Sequence, residues 1–310
     1  MALRDIKDKI QSVKKTAKVT KAMESVSAVK MRRAQEEAIA ARPYTHAAFT
    51  ILKRLSAVSK INLESMYDFH KKKDGRVCVV LVTSSKGLAG ALNANIFKKV
   101  QAILSGNSWT PKNTDFICIG KKGYEFAQRK GYTVLHNREQ TDDDETGEVL
   151  REISALSLDL FHNKGYREVR VVYTNFITTT EQNAVTRLML PIRYQELHDF
   201  IHEIIPKRGR FSDTNDDDLD AAVDWSKQYT YEPDVEQLIQ DFVPQLLYIG
   251  LYHALLESKA SEHSARMLAM KNATDKAGEV AKDLNRKYNK ERQAAITREI
   301  SEIVGGMETT

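Results

Sequence analysis

The sequence predicts an α/β protein with long helices added. An antiparallel coiled coil of the N- and C-terminal helices is attached to a three-layer, mainly parallel, Rossmann-like α/β domain. Three observations carry the prediction. The first segment, residues 3–58, is helically periodic and free of Gly. The middle, residues 75–205, alternates β-branched apolar runs with amphipathic stretches. Near the C-terminus an apolar stripe repeats at strict four-three spacing for more than four heptads.

In the N-terminal segment, Leu3, Ile6, Ile10, Val13, Ala17 and Thr20 follow the alternating three-and-four spacing of a coiled-coil seam. Beyond Thr20 the stripe drifts through Met23, Val26, Ala34 and Ala38, where small residues prevail and permit close helix approach. Pro43 is expected to kink or interrupt the helix, because it lacks an N–H and clashes with the preceding turn.

From Gly75 the texture changes. Arg76–Thr83 reads as a buried strand, followed by a glycine-punctuated turn and an amphipathic stretch, Leu88–Leu104. Phe116–Ile119 is a second strand, Gly120–Arg129 a helix, and Tyr132–Leu135 a short strand. Thr146–Asn163 is helical, and Glu168–Thr174 is another strand. Arg187–Arg193 reads as an edge strand, since Pro191 cannot donate to a ladder. Strands alternating with helices indicate the parallel three-layer sheet. Residues 206–233 form a polar, acidic connecting segment with little periodicity.

From residue 234 to about 305 the chain is helical again. Leu256, Ala260, His263, Met267, Met270, Thr274, Ala277, Ala281, Leu284 and Tyr288 form its seam, which then shifts phase to Ile296, Ile300 and Ile303. Roughly 60 helical residues extend on the order of 90 Å, more than a domain of this size can cover. The helix therefore needs the N-terminal one as its partner. The small, polar seam (Ala17, Ser27, Ala260, His263, Thr274, Ala277) packs weakly beside an Ile/Leu zipper, which suits a shaft gripped by other proteins.

Charge and composition narrow the function. The chain has 310 residues, 42% hydrophobic and 29% charged, with net charge +5. No stretch approaches the ~20 apolar residues of a membrane span. Met1–Ile10 has neither the apolar core of a secretory signal nor the Arg and Ser richness of a mitochondrial presequence. Residues 1–33 hold ten Lys or Arg against three acids, which predicts an acidic partner. Cys78 and Cys118 lie in apolar strand runs and read as reduced core residues. Short acidic runs, Asp142–Glu145 and Asp213–Asp220, read as solvated loops.

No motif carries chemistry. The turn in Thr83–Asn95 (TSSKGLAGALNAN) invites a phosphate-loop reading, but lacks both the Gly-Lys-Ser/Thr ending and the GxGxxG spacing. Gly87 and Gly90 are expected to permit a tight turn and close helix–strand packing, with Lys86 exposed at the tip. The eight histidines show no metal-ligand pattern, and no Ser sits in a nucleophile elbow. His263 reads as seam packing, His70 and His136 as surface. No catalytic residue, cofactor or metal is expected. Two rivals remain: a coiled-coil module binding nucleic acid or anionic membrane through residues 4–33, and a small α/β enzyme with helical extensions.

Three blocks carry a family likeness: Val19–Gln35 (VTKAMESVSAVKMRRAQ), the TSSKGLAGALNAN block, and Leu255–Met307, which contains SEHSARMLAMKNATD and YNKERQAAITREISEIVGG. In order and position they resemble the gamma-subunit family of F-type (bacterial-type) ATP synthases, essentially end to end. The resemblance implies a central-stalk rotor that transmits torque between a membrane c-ring and the catalytic alpha/beta hexamer. Regulation of ATPase activity and proton flow, and contact with an epsilon subunit, are also implied. It further implies a location peripheral to the bacterial plasma (inner) membrane on its cytoplasmic face, with no nucleic acid and no direct membrane span. The rotor–stator contacts it implies are Arg292, Gln293, Thr297 and Glu299 in the closing segment and Met23 on the shaft. Lys30, Arg32, Arg33 and Lys86 suit an acidic loop, and Arg266 of the ARM triplet complements them. Ser85, Ala89 and Arg298 depart from the family's frequent Asp, Cys and Gln, and residues 195–240 lack the chloroplast-type cysteine pair.

Overall fold

A computed structural model describes residues 3–59, 75–139, 146–191, 232 and 234–307. The acidic runs, His70 and nearly all of the 206–233 connection lie outside the described residues. The elements are α1 (Leu3–Ser59), β1 (Arg76–Val82), α2 (Leu92–Gly106), β2 (Thr114–Ile119) and α3 (Lys121–Arg129). They continue with β3 (Thr133–Arg138), α4 (Thr146–His162), β4 (Tyr166–Phe176), β5 (Gln182–Leu190) and α5 (Val235–Met307). The described parts of two compact units follow: residues 30–265, and residues 1–29 with 266–310.

The first unit is built on a five-stranded sheet of order β3-β2-β1-β4-β5. All pairs are parallel except β4 with β5. The period-two alternation of β1 sorts its side chains to two cores. Val77, Val79 and Leu81 join Phe116, Cys118, Ile96, Val100, Leu104 and Phe126, beneath α2 and α3. Cys78, Val80 and Val82 join Ile117, Val171, Leu150, Ile153, and Val243, Leu247 and Leu251 of α5 on the opposite face. Helices thus cover both faces, and the three-layer reading holds. The α2 helix shows why it forms where it does: Leu92, Ile96, Val100 and Leu104 are buried at every fourth position.

Several boundaries differ from the sequence reading. Leu88–Ala91 belongs to the turn, because Leu88 and Gly90 both adopt positive φ, 64° and 57°, outside the helical region. The edge strand β5 starts at Gln182, five residues earlier than its apolar run, since its first half pairs with β4 in spite of polar side chains. Helix α1 is assigned continuously through the exposed Pro43, so Pro43 does not end it.

Close packing at the turn is supplied by glycines other than those expected. A Cβ on Gly87 or Gly90 would meet nothing within 4 Å, whereas one on Gly120 (φ +103°) would collide with the Thr83 carbonyl. One on Gly123 would lie 2.9 Å from Thr83 Oγ1. Thr83 is buried, and its Oγ1 accepts from Gly123 N–H at 2.8 Å. The close approach therefore belongs to the β2–α3 junction.

A buried polar row crosses the face of the sheet covered by α5. His253, Glu257, Ser261 and Ser264 lie at spacings of four, four and three, on one face of the helix. His253 Nδ1 is 3.5 Å from Glu257 Oε1. Ser261 Oγ donates to Thr174 O at 3.2 Å, and Ser264 Oγ donates to Thr179 O at 2.7 Å. Glu257 and Arg187 are both within hydrogen-bonding reach of the Tyr173 phenol, which burial, then Glu257, pushes well above its ordinary range. Arg187 stands diagonally across the β4–β5 ladder from Tyr173.

Candidate functional site

The second unit pairs the start of α1 with the end of α5. In α1 positions 3, 6, 10, 13, 17, 20, 24 and 27 are buried or half-buried in an unbroken three-four repeat, flanked by the half-buried Met23 and Ala28. The seam therefore does not drift to Val26, which is 56% exposed. It passes through Ser27, buried as the small, polar seam predicts, and through Glu24, which an apolar stripe does not reveal. In α5 the seam from Met267 to Tyr288 is buried or half-buried throughout.

Thr20 Oγ1 and Thr274 Oγ1 lie 2.7 Å apart and fix the register. Counting outward from that contact along antiparallel helices sets Ala17 against Ala277, Val13 against Ala281, Ile10 against Leu284 and Ile6 against Tyr288. Leu3 then falls opposite Glu291. Beyond that point α5 has no α1 residue described to meet, and its side chains open to solvent: Ile296 is 46% and Ile300 56% exposed. The expected shifted stripe is thus uncovered within the chain, and the Ile303 side chain lies outside the described residues.

Four of the expected contact residues, Arg292, Gln293, Thr297 and Glu299, are exposed on this uncovered stretch. At 100° per residue Arg292 and Glu299 share one side, and Gln293 and Thr297 another, so they face more than one direction. Thr297 Oγ1 donates to Gln293 O at 2.9 Å, which tethers its hydroxyl to the helix.

The basic residues behave uniformly. Arg4, Lys7, Lys9, Lys14, Lys15, Lys18, Lys21, Lys30, Arg32 and Arg33 are all exposed. Against Asp5, Asp8 and Glu24 they leave seven net positive charges on this stretch, ten minus three. Local ion pairs offset only a little of it: Lys21 with Glu24 at 2.9 Å, and Arg33 with Glu37 at 3.1 Å.

Lys86 is exposed on a turn held by its neighbours. Ser84 Oγ donates to Lys86 O at 2.8 Å, and Asn93 Nδ2 donates to Ser84 Oγ at 2.7 Å. Leu88, beside it, is 63% exposed in a left-handed conformation, a feature the sequence reading missed. Met23 is half-buried, and Arg266 is buried, whereas the other cations named are exposed.

Among the described residues no group of three or more His, Cys, Asp or Glu is placed to hold a metal ion. Desolvation raises both thiols, that of Cys118 to about 12, so neither forms a thiolate readily. They belong to opposite faces of the sheet. His136 is only partly exposed, with Nδ1 3.8 Å from Glu152 Oε1, and is less of a surface residue than expected. Among the described residues no helix is long and apolar enough to cross a membrane.

Comparison with known proteins gives a consistent result. The sequence matches the ATP synthase family model over residues 2–309. The ATP synthase gamma chain of Cytophaga hutchinsonii is 36% identical over 310 residues, covering 99% of this chain and 98% of that one. That of Aromatoleum aromaticum is 37% identical, covering 98% and 97%. The fold is similar to a chain of the Euglena gracilis mitochondrial ATP synthase OSCP/F1/c-ring structure, with TM-score 0.62, 18% identity, and coverage of 99% and 94%. A chain of the Tetrahymena thermophila central stalk/c-ring structure has TM-score 0.57, 21% identity, and coverage of 82% and 99%. With relatives above 30% identity along nearly its full length, this chain belongs to the ATP synthase gamma-chain family.

Proposed function

We propose that the chain is the central-stalk rotor of a proton-translocating ATP synthase. It carries torque between a membrane c-ring and the catalytic alpha/beta hexamer, and so regulates ATP hydrolysis and proton flow with no catalytic site of its own. The single observation that carries this reading is the helix pair whose seam ends near Glu291, while α5 continues to Met307 with residues 296–301 exposed. An uncovered helix bearing Ile296 and Ile300 wants an external socket. The relatives' name supports the assignment, and the similar solved structures are described as central stalk, F1 and c-ring assemblies.

In this reading the shaft consists of residues 1–58 and 234–305, and residues 75–205 form the domain that meets the epsilon subunit and c-ring. The complex places it peripherally on the cytoplasmic face of a bacterial inner membrane. Arg292, Gln293, Thr297 and Glu299 meet the stator, as do Met23, Lys30, Arg32, Arg33, Lys86 and Arg266. Exposed single charges give contacts that are individually weak and re-form at each step. As the shaft turns, its changing face favours a different conformation of each catalytic subunit, a population shift driven by differential contact energy.

Deleting residues 292–310 tests the site. The shortened chain is expected to keep its thermal unfolding temperature, since nothing in the described part of that stretch is buried, and to lose torque in single-molecule rotation with alpha and beta subunits. Undiminished torque would remove these four residues from the interface.

A further inference from the structure

We propose that the buried polar row between α5 and the sheet is a rotational lock, in which His253, Glu257, Tyr173 and Arg187 are positioning residues that stop the shaft helix rolling on its domain. The inference deepens the rotor reading and rests on it. α5 seats directly on the sheet's core, beside Ala48 of α1, so this joint carries torque between helix and sheet.

The joint has two kinds of contact. Val243, Leu246, Leu247, Leu251 and Leu255 seat the helix through apolar burial. Such contacts hold the helix down but are non-directional, and they resist rolling weakly. One turn further along the contact becomes directional. Glu257 reaches the Tyr173 phenol with Arg187 beside it, and His253 lies one helical turn before Glu257. Ser261 and Ser264 grip the carbonyls of Thr174 and Thr179. These groups are almost wholly buried: Tyr173 is 1% exposed, His253 2%, Glu257 7% and Arg187 9%. Rolling the helix by one residue position, about 100°, would pull Glu257 from the Tyr173 phenol and Ser261 and Ser264 from their carbonyl acceptors, leaving these groups unpaired away from water, while His253 travels with Glu257 on the same helix. The cost rises steeply with angle, which is what an apolar seat alone does not supply.

A network that exists for stability and one that exists for torque respond differently to replacement. Exchanging a buried ionic cluster for apolar groups of similar volume is often neutral or stabilising. The test therefore uses the set Tyr173→Phe, Arg187→Met, His253→Leu and Glu257→Leu in the assembled complex in proteoliposomes. Protons pumped per ATP hydrolysed are read with and without an opposing proton gradient. The isolated chain is expected to unfold at or above the wild-type temperature. Unloaded hydrolysis should match wild type, and uncoupled hydrolysis under load should rise about fivefold for a lost hydrogen bond. Glu257→Gln, which keeps an acceptor for the phenol, should restore coupling to near wild type.

A folded set that pumps at the wild-type ratio under load overturns the lock while leaving the rotor reading intact. If the set fails to fold, Tyr173→Phe alone decides, because it keeps the ring and removes only the phenol's hydrogen bonds. Full coupling in it under load overturns the proposal, and partial slip supports it. A wild-type complex that hydrolyses ATP without pumping would instead sink the rotor reading.

Discussion

Tyr166 and Asp115 illustrate how single residues hold the far end of the sheet. Asp115 is buried at the start of β2, where it accepts from Arg76 Nε at 2.6 Å, from Arg76 Nη2, and from the Tyr166 hydroxyl at 2.5 Å. Three neighbouring strands are thereby joined at one carboxylate. Burial, followed by the hydrogen bond to Asp115, raises the Tyr166 phenol to about 12. A folded value above the ordinary one, near 10, means that the phenol's contribution is whole below pH ~10 and drains away as pH climbs toward 12. Tyr166→Phe should cost about 1 kcal/mol near neutrality and soften the loss between pH 10 and 12. Urea unfolding of both chains at three pH values measures this, and an unaltered alkaline profile would refute it. The glycines give a sharper contrast. Gly120→Ala should destabilise by about 3 kcal/mol, because it must hold a positive φ against the Thr83 carbonyl. Gly87→Ala, with open space around it, should lie within about 0.5 kcal/mol of wild type in the same assay.

At the level of elements, periodicity was legible wherever the buried residue was apolar and unreliable where it was not. The α5 seam from Leu256 to Tyr288 is the one the four-three spacing predicts. In α1 the stripe after Thr20 is legible in part: Met23, Ser27, Ala34 and Ala38 are buried or half-buried, whereas Glu24 also occupies a seam position and Val26 faces outward with Val19 and Val29. Strand β5 was read late for the same reason, since Gln182–Thr186 pairs through its backbone. The role of Gly120 was invisible because it depends on a carbonyl 37 residues away in the chain. The buried row on α5 was equally hidden: its partners, Tyr173 and Arg187, come from strands far away in sequence. Of the candidate site, the exposed closing segment was legible, whereas the burial of Arg266 and the protrusion of Leu88 were not. The Thr20–Thr274 contact tests how the polar seam works. Each hydroxyl also has a carbonyl of its own helix to serve, Ala17 O at 3.1 Å and Met270 O at 2.9 Å. Thr274→Val alone should therefore cost about 1 kcal/mol, while Thr20→Val with Thr274→Val should recover it, both hydroxyls being gone from a seam of unchanged shape. A double-mutant cycle by thermal unfolding reads the coupling directly, and additive losses would show that the pair contributes nothing jointly.

At the scale of the whole molecule, the positive charge of residues 4–33 is turned to solvent. The ten basic side chains of residues 4–33 are exposed to the last, although Ile6, Ile10 and Ser27 between them are buried. The helix pair thus keeps a thin neutral seam and turns a cationic surface outward. Such a surface adds little to intramolecular stability, because exposed ion pairs such as Lys21–Glu24 and Arg33–Glu37 are worth about a few tenths of a kcal/mol each. Its effect belongs to encounter: a cationic rod accelerates association with an acidic partner and orients it, and the acceleration decays once the Debye length falls below the ~10 Å of 0.1 M salt. Reversing Lys30, Arg32 and Arg33 to Glu should therefore slow association with the alpha and beta subunits about tenfold at low ionic strength, with thermal stability nearly unchanged. At about 0.5 M salt, where the Debye length is only a few ångströms, the two chains should associate at similar rates. Stopped-flow association across a salt series separates the possibilities. A deficit of constant size at every salt concentration would mean that these residues act by close packing, and the electrostatic account of this surface would fail.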